Sequence, residues 1–227
     1  MKKIIIDTDP GQDDALALMT AFGAKQEIKV LGVTCVAGNV PLDLTSINAL
    51  KICELSGMYD VPVFKGSAAP LKRTLITAEH VHGKTGLDGT ELLVKKKKLE
   101  LTSAVDFIID CAEKYKDENI IICALGPLTN IAKVLTKNPR VTESIKEIIL
   151  MGGGFFEGGN ITPAAEFNIY VDPEAAKIVL ESGVKITMLP LDVTHKTLVQ
   201  RDFLEKLRES GKNSAIQAAK LLDFFER

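Results

Sequence analysis

The chain has 227 residues, of which 46% are hydrophobic and 26% charged, and its formal net charge is −2 at pH 7. This length is enough for one α/β domain with a full core, and the near-neutral charge argues against nucleic acid or an anionic membrane as partner. The four cysteines form no CxxC pair, which predicts buried free thiols rather than a disulfide framework. No apolar run approaches the roughly 20 residues of a membrane helix, and the first residues do not resemble a signal peptide, so we expect a cytoplasmic protein.

Short apolar runs alternate along the chain with longer segments of helical periodicity. The predicted strands are 3–7, 29–35, 62–64, 120–124, 147–151 and 185–188. The predicted helices are 13–22, 42–56, 103–115, 128–136, 173–181, 201–207 and 214–225. Strands that are continuously apolar suit a parallel sheet covered on both faces. We therefore predict a single α/β domain over residues 1–227, built on an open, mostly parallel sheet with helices on both faces.

Four aspartates lie within eight residues at the end of the first predicted strand: Asp7, Asp9, Asp13 and Asp14. Capping of the next helix explains one or two of them, but four carboxylates at one strand end repel each other. A divalent cation such as Ca²⁺, which binds several carboxylate oxygens, relieves this repulsion. The pattern favours a metal or catalytic site over capping alone, and ligands of open α/β sheets bind at this end of the strands.

Two protein families begin with an aspartate-rich strand end. Phosphatases of the haloacid dehalogenase type use Asp-x-Asp followed by a small or hydroxyl residue, whereas Pro10 follows Asp9 here. The run Asp-Thr-Asp-Pro-Gly-Gln-Asp-Asp-Ala-Leu-Ala-Leu at residues 7–18 instead resembles the signature of the inosine-uridine preferring nucleoside hydrolases. Later segments are similar to that family as well, namely 32–40, 80–89, 124–132, 151–168 and 190–195. The resemblance covers nearly the whole chain.

The resemblance implies the Rossmann-like nucleoside hydrolase fold and hydrolysis of the N-glycosidic bond of ribonucleosides to base and ribose, with Ca²⁺ as cofactor. It implies Asp9, Asp14 and the main-chain carbonyl of Leu125 as metal ligands, Asp9 as the catalytic base and His82, on a loop beside Gly83, as a second catalytic candidate. The substrate-binding candidates are Asp13, Asn39, Met151, Asn160, Glu166, Phe167 and Asn168. The expected partners are a ribonucleoside, in preference to a 2′-deoxyribonucleoside, and further copies of the chain in a homodimer or homotetramer.

Without the resemblance, several of these residues have ordinary structural interpretations. Asn160, Glu166 and Asn168 are typical polar loop residues. The aromatic residues Phe155 and Phe156 are predicted to lie in the core, as is Phe167 by default, although Phe167 is also placed to line a base pocket.

The family pattern also includes a late His-Asp pair, whose aspartate completes the metal shell and whose histidine assists the departing base. Here Asp223 follows Leu222 within an apolar helical pattern, and it does not replace that pair. Two functions stay open: an active hydrolase, or a C-terminally short homologue, weakly active or inactive, that binds ribose or nucleosides. The short C-terminus has three possible explanations, which are truncation, a natural short form, or completion of the site by a partner chain.

Overall fold

The computed structural model describes residues 1–225 and contains a six-stranded parallel sheet. The strands are β1 Lys2–Thr8, β2 Ile28–Cys35, β3 Val63–Lys65, β4 Ile120–Ala124, β5 Ile145–Met151 and β6 Ile186–Leu189. Their order across the sheet is β3-β2-β1-β4-β5-β6, and every neighbouring pair is parallel. The predicted parallel α/β sheet is confirmed, with strand ends shifted by one or two residues.

Ten α-helices connect or flank these strands in the described part of the chain. They are α1 Gln12–Gly23, α2 Leu42–Leu55, α3 Glu79–His82, α4 Ala104–Lys114, α5 Thr129–Lys137, α6 Phe167–Val171, α7 Pro173–Leu180, α8 Leu191–Thr194, α9 Arg201–Glu209 and α10 Asn213–Phe225. The seven predicted helices are all present. The four- and five-residue helices α3, α6 and α8 were not predicted, because so few residues show no helical period.

Both faces of the sheet are covered by helices, as predicted. Ile5 of β1 packs in a core cluster with residues of α4, α5 and α7. Its neighbours Ile4 and Ile6 belong to a second cluster with residues of α1 and α2. Because successive side chains of a strand point to opposite faces, β1 lies in the middle of a three-layer structure.

Several smaller expectations are also settled by the fold. The four cysteines are free, with Cys35, Cys53 and Cys111 buried and Cys123 half-buried. Within residues 1–225 no helix is long and apolar enough to cross a bilayer. The core assignment of Phe155 and Phe156 was wrong, because these side chains are 69% and 98% exposed.

The strand order creates a switch point between β1 and β4. From β1 the chain builds the sheet outward through β2 and β3 on one side, and through β4, β5 and β6 on the other. Asp7 of β1 is paired with Thr34 of β2 and with Ala124 of β4, so the three strand ends lie side by side. The loops that follow these strands diverge and leave a crevice, which is where open α/β sheets bind their ligands.

Candidate active site

A cavity of about 160 Å³ lies at the switch point, next to the residues that follow β1, β2 and β4. Ten of the eleven predicted site residues line it, namely Asp13, Asp14, Asn39, His82, Leu125, Met151, Asn160, Glu166, Phe167 and Asn168. The eleventh, Asp9, is 1% exposed, and its carboxylate accepts a hydrogen bond from the backbone N–H of Asn39, which lines the cavity. The structure thus brings together residues that are up to 159 positions apart in the sequence.

A second cavity is larger but has a different chemical character. It has a volume of about 320 Å³ and lies between α1, α9 and α10, where its walls are mainly apolar side chains such as Leu16, Phe22 and Leu207. The eleven predicted site residues are all outside its lining. We therefore assign the candidate active site to the smaller, polar cavity, because its lining carries the titratable groups.

The two carboxylates of Asp9 and Asp14 form the acidic end of the site. Asn39 bridges them: its backbone N–H donates to Asp9 Oδ2 at 2.7 Å, and its side-chain Nδ2 donates to Asp14 Oδ2 at 3.2 Å. Burial and then the charge of Asp14 raise the pKa of Asp9 well above its usual range. Burial and then the charge of Asp13 raise the pKa of Asp14 to about 7. Negative charge is therefore costly here unless a cation or a proton balances it.

Two glycines leave the space that the Asp9 carboxylate occupies. A Cβ atom at Gly38 would lie 2.1 Å from Asp9 Oδ2, and one at Gly126 would lie 2.2 Å from Asp9 Oδ1. These separations are far below van der Waals contact, so any side chain at either position would displace the carboxylate. The loops after β2 and β4 therefore enclose Asp9 from both sides.

The donor atoms fit a hard divalent cation in kind, and partly in number. Asp9 and Asp14 offer carboxylate oxygens and Leu125 offers a main-chain carbonyl, which are the ligand types that Ca²⁺ prefers. Ca²⁺ takes about six to eight oxygens, and among the described residues no three His, Cys, Asp or Glu side chains are grouped to hold a metal ion. These residues would need water or substrate oxygens to complete a shell, and the Ca²⁺ site stays a prediction.

His82 lies next to Gly11 and Asp13 and is held by Gln12. Its Nδ1 is 2.7 Å from Gln12 Oε1, while Gln12 Nε2 donates to the carbonyls of His82 and Asp88 at 3.0 and 3.2 Å. Burial lowers the pKa of His82 below its usual value of 6.5, and Asp13, whose Oδ1 is 4.0 Å from Nδ1, acts in the opposite direction. Burial therefore favours the neutral form of His82.

The wall formed by β4 and β5 is organised by Asn168. Its Nδ2 donates to the Leu125 carbonyl at 2.8 Å and to the Met151 carbonyl at 3.2 Å. The predicted metal ligand Leu125 thus already accepts one hydrogen bond, but a carbonyl oxygen has two lone pairs and can take a second partner. Asn168 therefore fixes the orientation of this carbonyl.

Glu166 caps the short helix α6 and connects it to the loop after β5. Its Oε1 accepts from the backbone N–H of Asn168, and its Oε2 accepts from Gly153 and Ile169, all at 2.9 to 3.1 Å. Burial raises the pKa of Glu166. Both carboxylate oxygens accept hydrogen bonds from the backbone, so Glu166 stabilises the shape of the cavity wall that it lines.

Asn160 has a similar local role on the exposed side of the cavity. Its Oδ1 accepts a hydrogen bond from the backbone N–H of Phe167 at 2.8 Å, and both residues line the cavity. The half-buried Phe167 ring supplies an apolar surface next to these polar groups. The contacts of Asn160, Glu166, Phe167 and Asn168 are compatible with their predicted role in substrate binding, which stays a prediction.

Asp7 belongs to the acidic run but lies outside the lining of the cavity. Its Oδ1 accepts from Thr34 Oγ1 and from Asn130 Nδ2, while its fully buried Oδ2 has no hydrogen-bond partner in the described structure. Burial raises the pKa of Asp7 to about 7. Asp7 therefore joins β1 to β2 and α5 beneath the site.

Sequence reasoning missed some contributors to the cavity. Gln12 lies inside the aspartate motif, but its partners His82 and Asp88 are 70 or more residues away in the sequence. The polar side chain of Gln12 within the motif was the one indication in the sequence that this residue contributes to the site. Phe225 at the end of α10 also lines the cavity, and its ring centroid is 5.6 Å from that of His82. Asp223, by contrast, is paired with Arg208 on the surface.

A parallel sheet whose switch point gathers carboxylates, carboxamides and a histidine around a small cavity defines a Rossmann-like α/β protein with a polar small-molecule site. The family model for "Inosine-uridine preferring nucleoside hydrolase" matches residues 4–227. The chain therefore belongs to the inosine-uridine preferring nucleoside hydrolase family, as the motifs predicted.

The chain is also similar to individual proteins. The chain is 55% identical over 194 residues to an uncharacterized protein of Schizosaccharomyces pombe, a match that covers 86% of this chain and 62% of that protein. It is 46% identical to the pyrimidine-specific ribonucleoside hydrolase RihA of Photobacterium profundum, over 99% of this chain and 71% of the relative. The chain thus spans about two thirds of the length of these relatives.

Solved structures give the same result for the fold. The purine-preferring ribonucleoside hydrolase from Gardnerella vaginalis superposes with a TM-score of 0.94 at 37% sequence identity, and the match covers 99% of this chain and 72% of that one. The names of the relatives differ in the base that they specify, pyrimidine in one case and purine in another. Family membership therefore leaves the base preference of this chain open.

Proposed function

We propose that this protein hydrolyses the N-glycosidic bond of ribonucleosides to free base and ribose, with Ca²⁺ as cofactor. The observation that carries the proposal is the Asp9–Asn39–Asp14 group at one end of a cavity whose other wall is built from Asn160, Glu166 and Asn168. A group of carboxylates beside carboxamides suits a polyol such as ribose, because sugar hydroxyls both donate and accept hydrogen bonds.

The cation would be held by Asp9, Asp14 and the carbonyl of Leu125. When bound, it supplies a positive charge that lowers the pKa of a water molecule and attracts hydroxyl oxygens. The two buried carboxylates with raised pKa values support this assignment, because a cation removes their mutual repulsion.

The chemical step that we propose uses Asp9 as general base. Asp9 takes a proton from water, the water oxygen forms a bond to C1′ of the ribose, and the bond from C1′ to the base nitrogen breaks. The electron pair of that bond goes to the base nitrogen, which is then protonated. The enclosure of Asp9 by Gly38 and Gly126 supports this role, because a base is effective only when its position is fixed.

Ribose recognition would depend on the polar side chains around the cavity. Asp13 and Asn39 would face the 2′-hydroxyl, and Asn160, Glu166 and Asn168 the 3′ and 5′ hydroxyls. A site built to pair a hydroxyl discriminates against an analogue that lacks it, because its own polar groups are left unpaired. We therefore expect uridine or inosine to be preferred to the corresponding 2′-deoxynucleoside.

The cellular setting is also part of the proposal. Four free cysteines are compatible with a reducing compartment such as the cytoplasm. A homodimer or homotetramer rests on the family resemblance, and light scattering on the purified chain would measure it.

A second candidate function is nucleoside binding without turnover. It is favoured by one observation: within residues 1–225 the carboxylate ligand set consists of Asp9 and Asp14, with no third His, Cys, Asp or Glu side chain grouped with them. Since Ca²⁺ affinity follows the number of charged ligands, a weakly held cation would leave binding intact and slow the reaction.

Ribose release distinguishes these functions. The full chain is incubated with Ca²⁺ and either uridine or inosine, and free ribose is measured by a reducing-sugar assay. We expect release that EDTA abolishes and that falls by at least about 10²-fold in Asp9→Asn, the size expected for loss of a general base. Isothermal titration with the same nucleosides reports binding independently of turnover.

A matched control is Asp172→Asn. Asp172 is as buried as Asp9, but its oxygens accept hydrogen bonds from Leu71, Thr129 and Ala175, away from the cavity. We expect this variant to lose stability and to keep its response to Ca²⁺. Binding without ribose release would favour the second candidate, and an absence of both would contradict the two functions together.

A further inference from the structure

We infer that Gln12 is a positioning residue that fixes His82 as the Nδ1–H tautomer and leaves His82 Nε2 as a hydrogen-bond acceptor at the cavity. A catalytic role was predicted for His82 without stating which ring nitrogen carries the proton, and this tautomer decides whether Nε2 donates or accepts a hydrogen bond. The side-chain amide of Gln12, at the start of α1, is fully buried against the segment that contains α3.

The orientation of the Gln12 amide is determined by its partners. On one side it faces two backbone carbonyls, those of His82 at 3.0 Å and Asp88 at 3.2 Å. Carbonyl oxygens only accept hydrogen bonds, so the amide nitrogen with its two hydrogens must lie on this side. The amide oxygen is then directed to the other side, where His82 Nδ1 is 2.7 Å away.

This orientation fixes the position of the histidine proton. An amide oxygen only accepts, so the 2.7 Å contact is a hydrogen bond only when Nδ1 carries the hydrogen. Asp13 Oδ1, at 4.0 Å from Nδ1, favours the same arrangement because it is also an acceptor. In a neutral imidazole with Nδ1–H, the second nitrogen Nε2 has a free lone pair.

The second ring nitrogen is available to a ligand. In the described part of the chain no protein group is hydrogen-bonded to Nε2. The side-chain atoms that are sealed from solvent and have no partner are Asp7 Oδ2, Ser46 Oγ and Ser56 Oγ. Nε2 is not one of them, so it is not sealed from solvent. The Nδ1–Cε1 edge of the ring instead packs on Gly11, where a Cβ would lie 2.5 Å from Nδ1. The ring is thus held by its Nδ1 edge, and Nε2 is the nitrogen left for a ligand in the cavity that His82 lines.

The consequence for the reaction rests on the proposed function. A neutral histidine with a free Nε2 accepts a hydrogen bond from an N–H or O–H group of the bound nucleoside and has no proton to give through that atom. The proton that the departing base acquires therefore comes from a group other than His82. Gln12 is outside the cavity lining and is hydrogen-bonded to His82 and to Asp88 of the same segment, so we place its effect on the histidine.

The tautomer can be measured directly by two-bond ¹H–¹⁵N NMR of the histidine rings at about pH 8, above the ordinary titration range of histidine. The chain has three histidines, and the exposed His80 serves as the internal reference. We expect a pyrrole-type Nδ1 and a pyridine-type Nε2 for His82. The opposite pattern in the wild-type protein would overturn the inference, whether or not the protein hydrolyses nucleosides.

Variants test the contribution of Gln12 itself. Gln12→Met removes the acceptor, and we expect the tautomer ratio of His82 to move about fivefold or more toward Nε2–H, the change for loss of one hydrogen bond. Gln12→Glu keeps an acceptor beside Nδ1, so Nδ1–H should persist, and this variant keeps the test decisive if Gln12→Met does not fold. An unchanged ratio in folded Gln12→Met would show that Gln12 does not set the tautomer.

The matched control is Asn48→Leu. Asn48 Nδ2 holds the same loop by donating to the carbonyls of Pro10 and Thr85 at 3.1 and 2.7 Å, and neither hydrogen bond involves the His82 ring. This variant should loosen the loop and leave the tautomer as in the wild type. A tautomer change of equal size in Asn48→Leu and Gln12→Met would assign the effect to the loop and overturn the role of Gln12.

Discussion

The backbone N–H of Asn39 donates to Asp9 Oδ2 at 2.7 Å, which ties the loop after β2 to the acid that follows β1. The Asn39 side chain donates in turn to the Asp9 carbonyl and to Asp14 Oδ2. One asparagine thus supplies hydrogen bonds to two carboxylates but no positive charge. Because repulsion between the carboxylates remains, we predict that a cation stabilises the site, and a change of charge at position 39 tests this.

Asn39→Asp should make stability more dependent on Ca²⁺. A third carboxylate replaces a donor, so we expect the free energy of unfolding without cation to fall by about 2 kcal/mol or more. Added Ca²⁺ should recover most of this loss and raise Tm more than it does for the wild type. Thermal unfolding with Ca²⁺ or EDTA measures both effects.

The control for this charge change is Asn48→Asp, at a buried asparagine that has no carboxylate among its partners. Its Nδ2 donates to the carbonyls of Pro10 and Thr85, and its Oδ1 accepts from Lys51 Nζ. It should lose stability without a Ca²⁺-dependent recovery. Equal responses of the two variants to Ca²⁺ would argue against a cation between Asp9 and Asp14.

Gly38→Ala and Gly126→Ala should each disable the site by displacing Asp9. The added Cβ would lie 2.1 or 2.2 Å from a carboxylate oxygen of Asp9, and relief of such a clash costs about 1–3 kcal/mol. We expect a loss of stability of that size, measured by urea unfolding, together with loss of ribose release.

Gly23→Ala is the control, because no described atom lies within 4 Å of its Cβ position at the end of α1. That substitution should stabilise the protein by about 0.4–1 kcal/mol, and an equal loss in all three variants would contradict the role of the Asp9 enclosure.

The order of the elements was predictable because it depends on local patterns. Continuous apolar runs such as Ile120–Ala124 predicted buried parallel strands, and amphipathic periodicity predicted the longer helices. The site residues were predicted from the aspartate run and from the resemblance to the nucleoside hydrolases. They come together because residues that follow different parallel strands meet at one edge of the sheet. This is why Asp14 at the start of α1 lines the same cavity as Asn39 and Leu125, which lie in the loops after β2 and β4.

What the sequence did not reveal depends on contacts between distant segments. Gln12 looked like one polar residue among aspartates, and its role appears only where the fold brings His82 beside it. Phe155 and Phe156 were predicted to lie in the core because aromatic side chains are usually buried. Their backbone N–H groups are instead bound by the Asp192 carboxylate, which holds this segment on the surface with both rings exposed.

Acid should destabilise the protein partly through His82. Burial lowers the pKa of His82 below 6.5, with Asp13 and His80 as the neighbouring charges, so the unfolded chain takes up this proton at a higher pH than the folded chain does. Between the pKa of His82 in the unfolded chain and its lower pKa in the folded chain, the unfolded state binds more protons. The stability contributed by neutral His82 is therefore present above pH 6.5 and is lost as pH falls through the folded pKa. Urea unfolding of wild type and His82→Asn between about pH 5 and 8 measures the difference. The wild type should lose more stability than the variant on acidification, and parallel curves would contradict the shift.

Glu166→Gln should weaken both the wall of the cavity and the cap of α6. The carboxylate accepts three backbone hydrogen bonds, from Gly153, Asn168 and Ile169, and an amide cannot accept on its nitrogen side. At least one N–H then loses its partner, which should cost about 1–3 kcal/mol. Because Asn168 also orients the Leu125 carbonyl, KM for uridine should rise in the same variant.

Glu174→Gln, which removes a surface ion pair with Arg73, is the control and should cost less than about 1 kcal/mol. Equal losses in the two variants would mean that the Glu166 carboxylate does not hold these turns together.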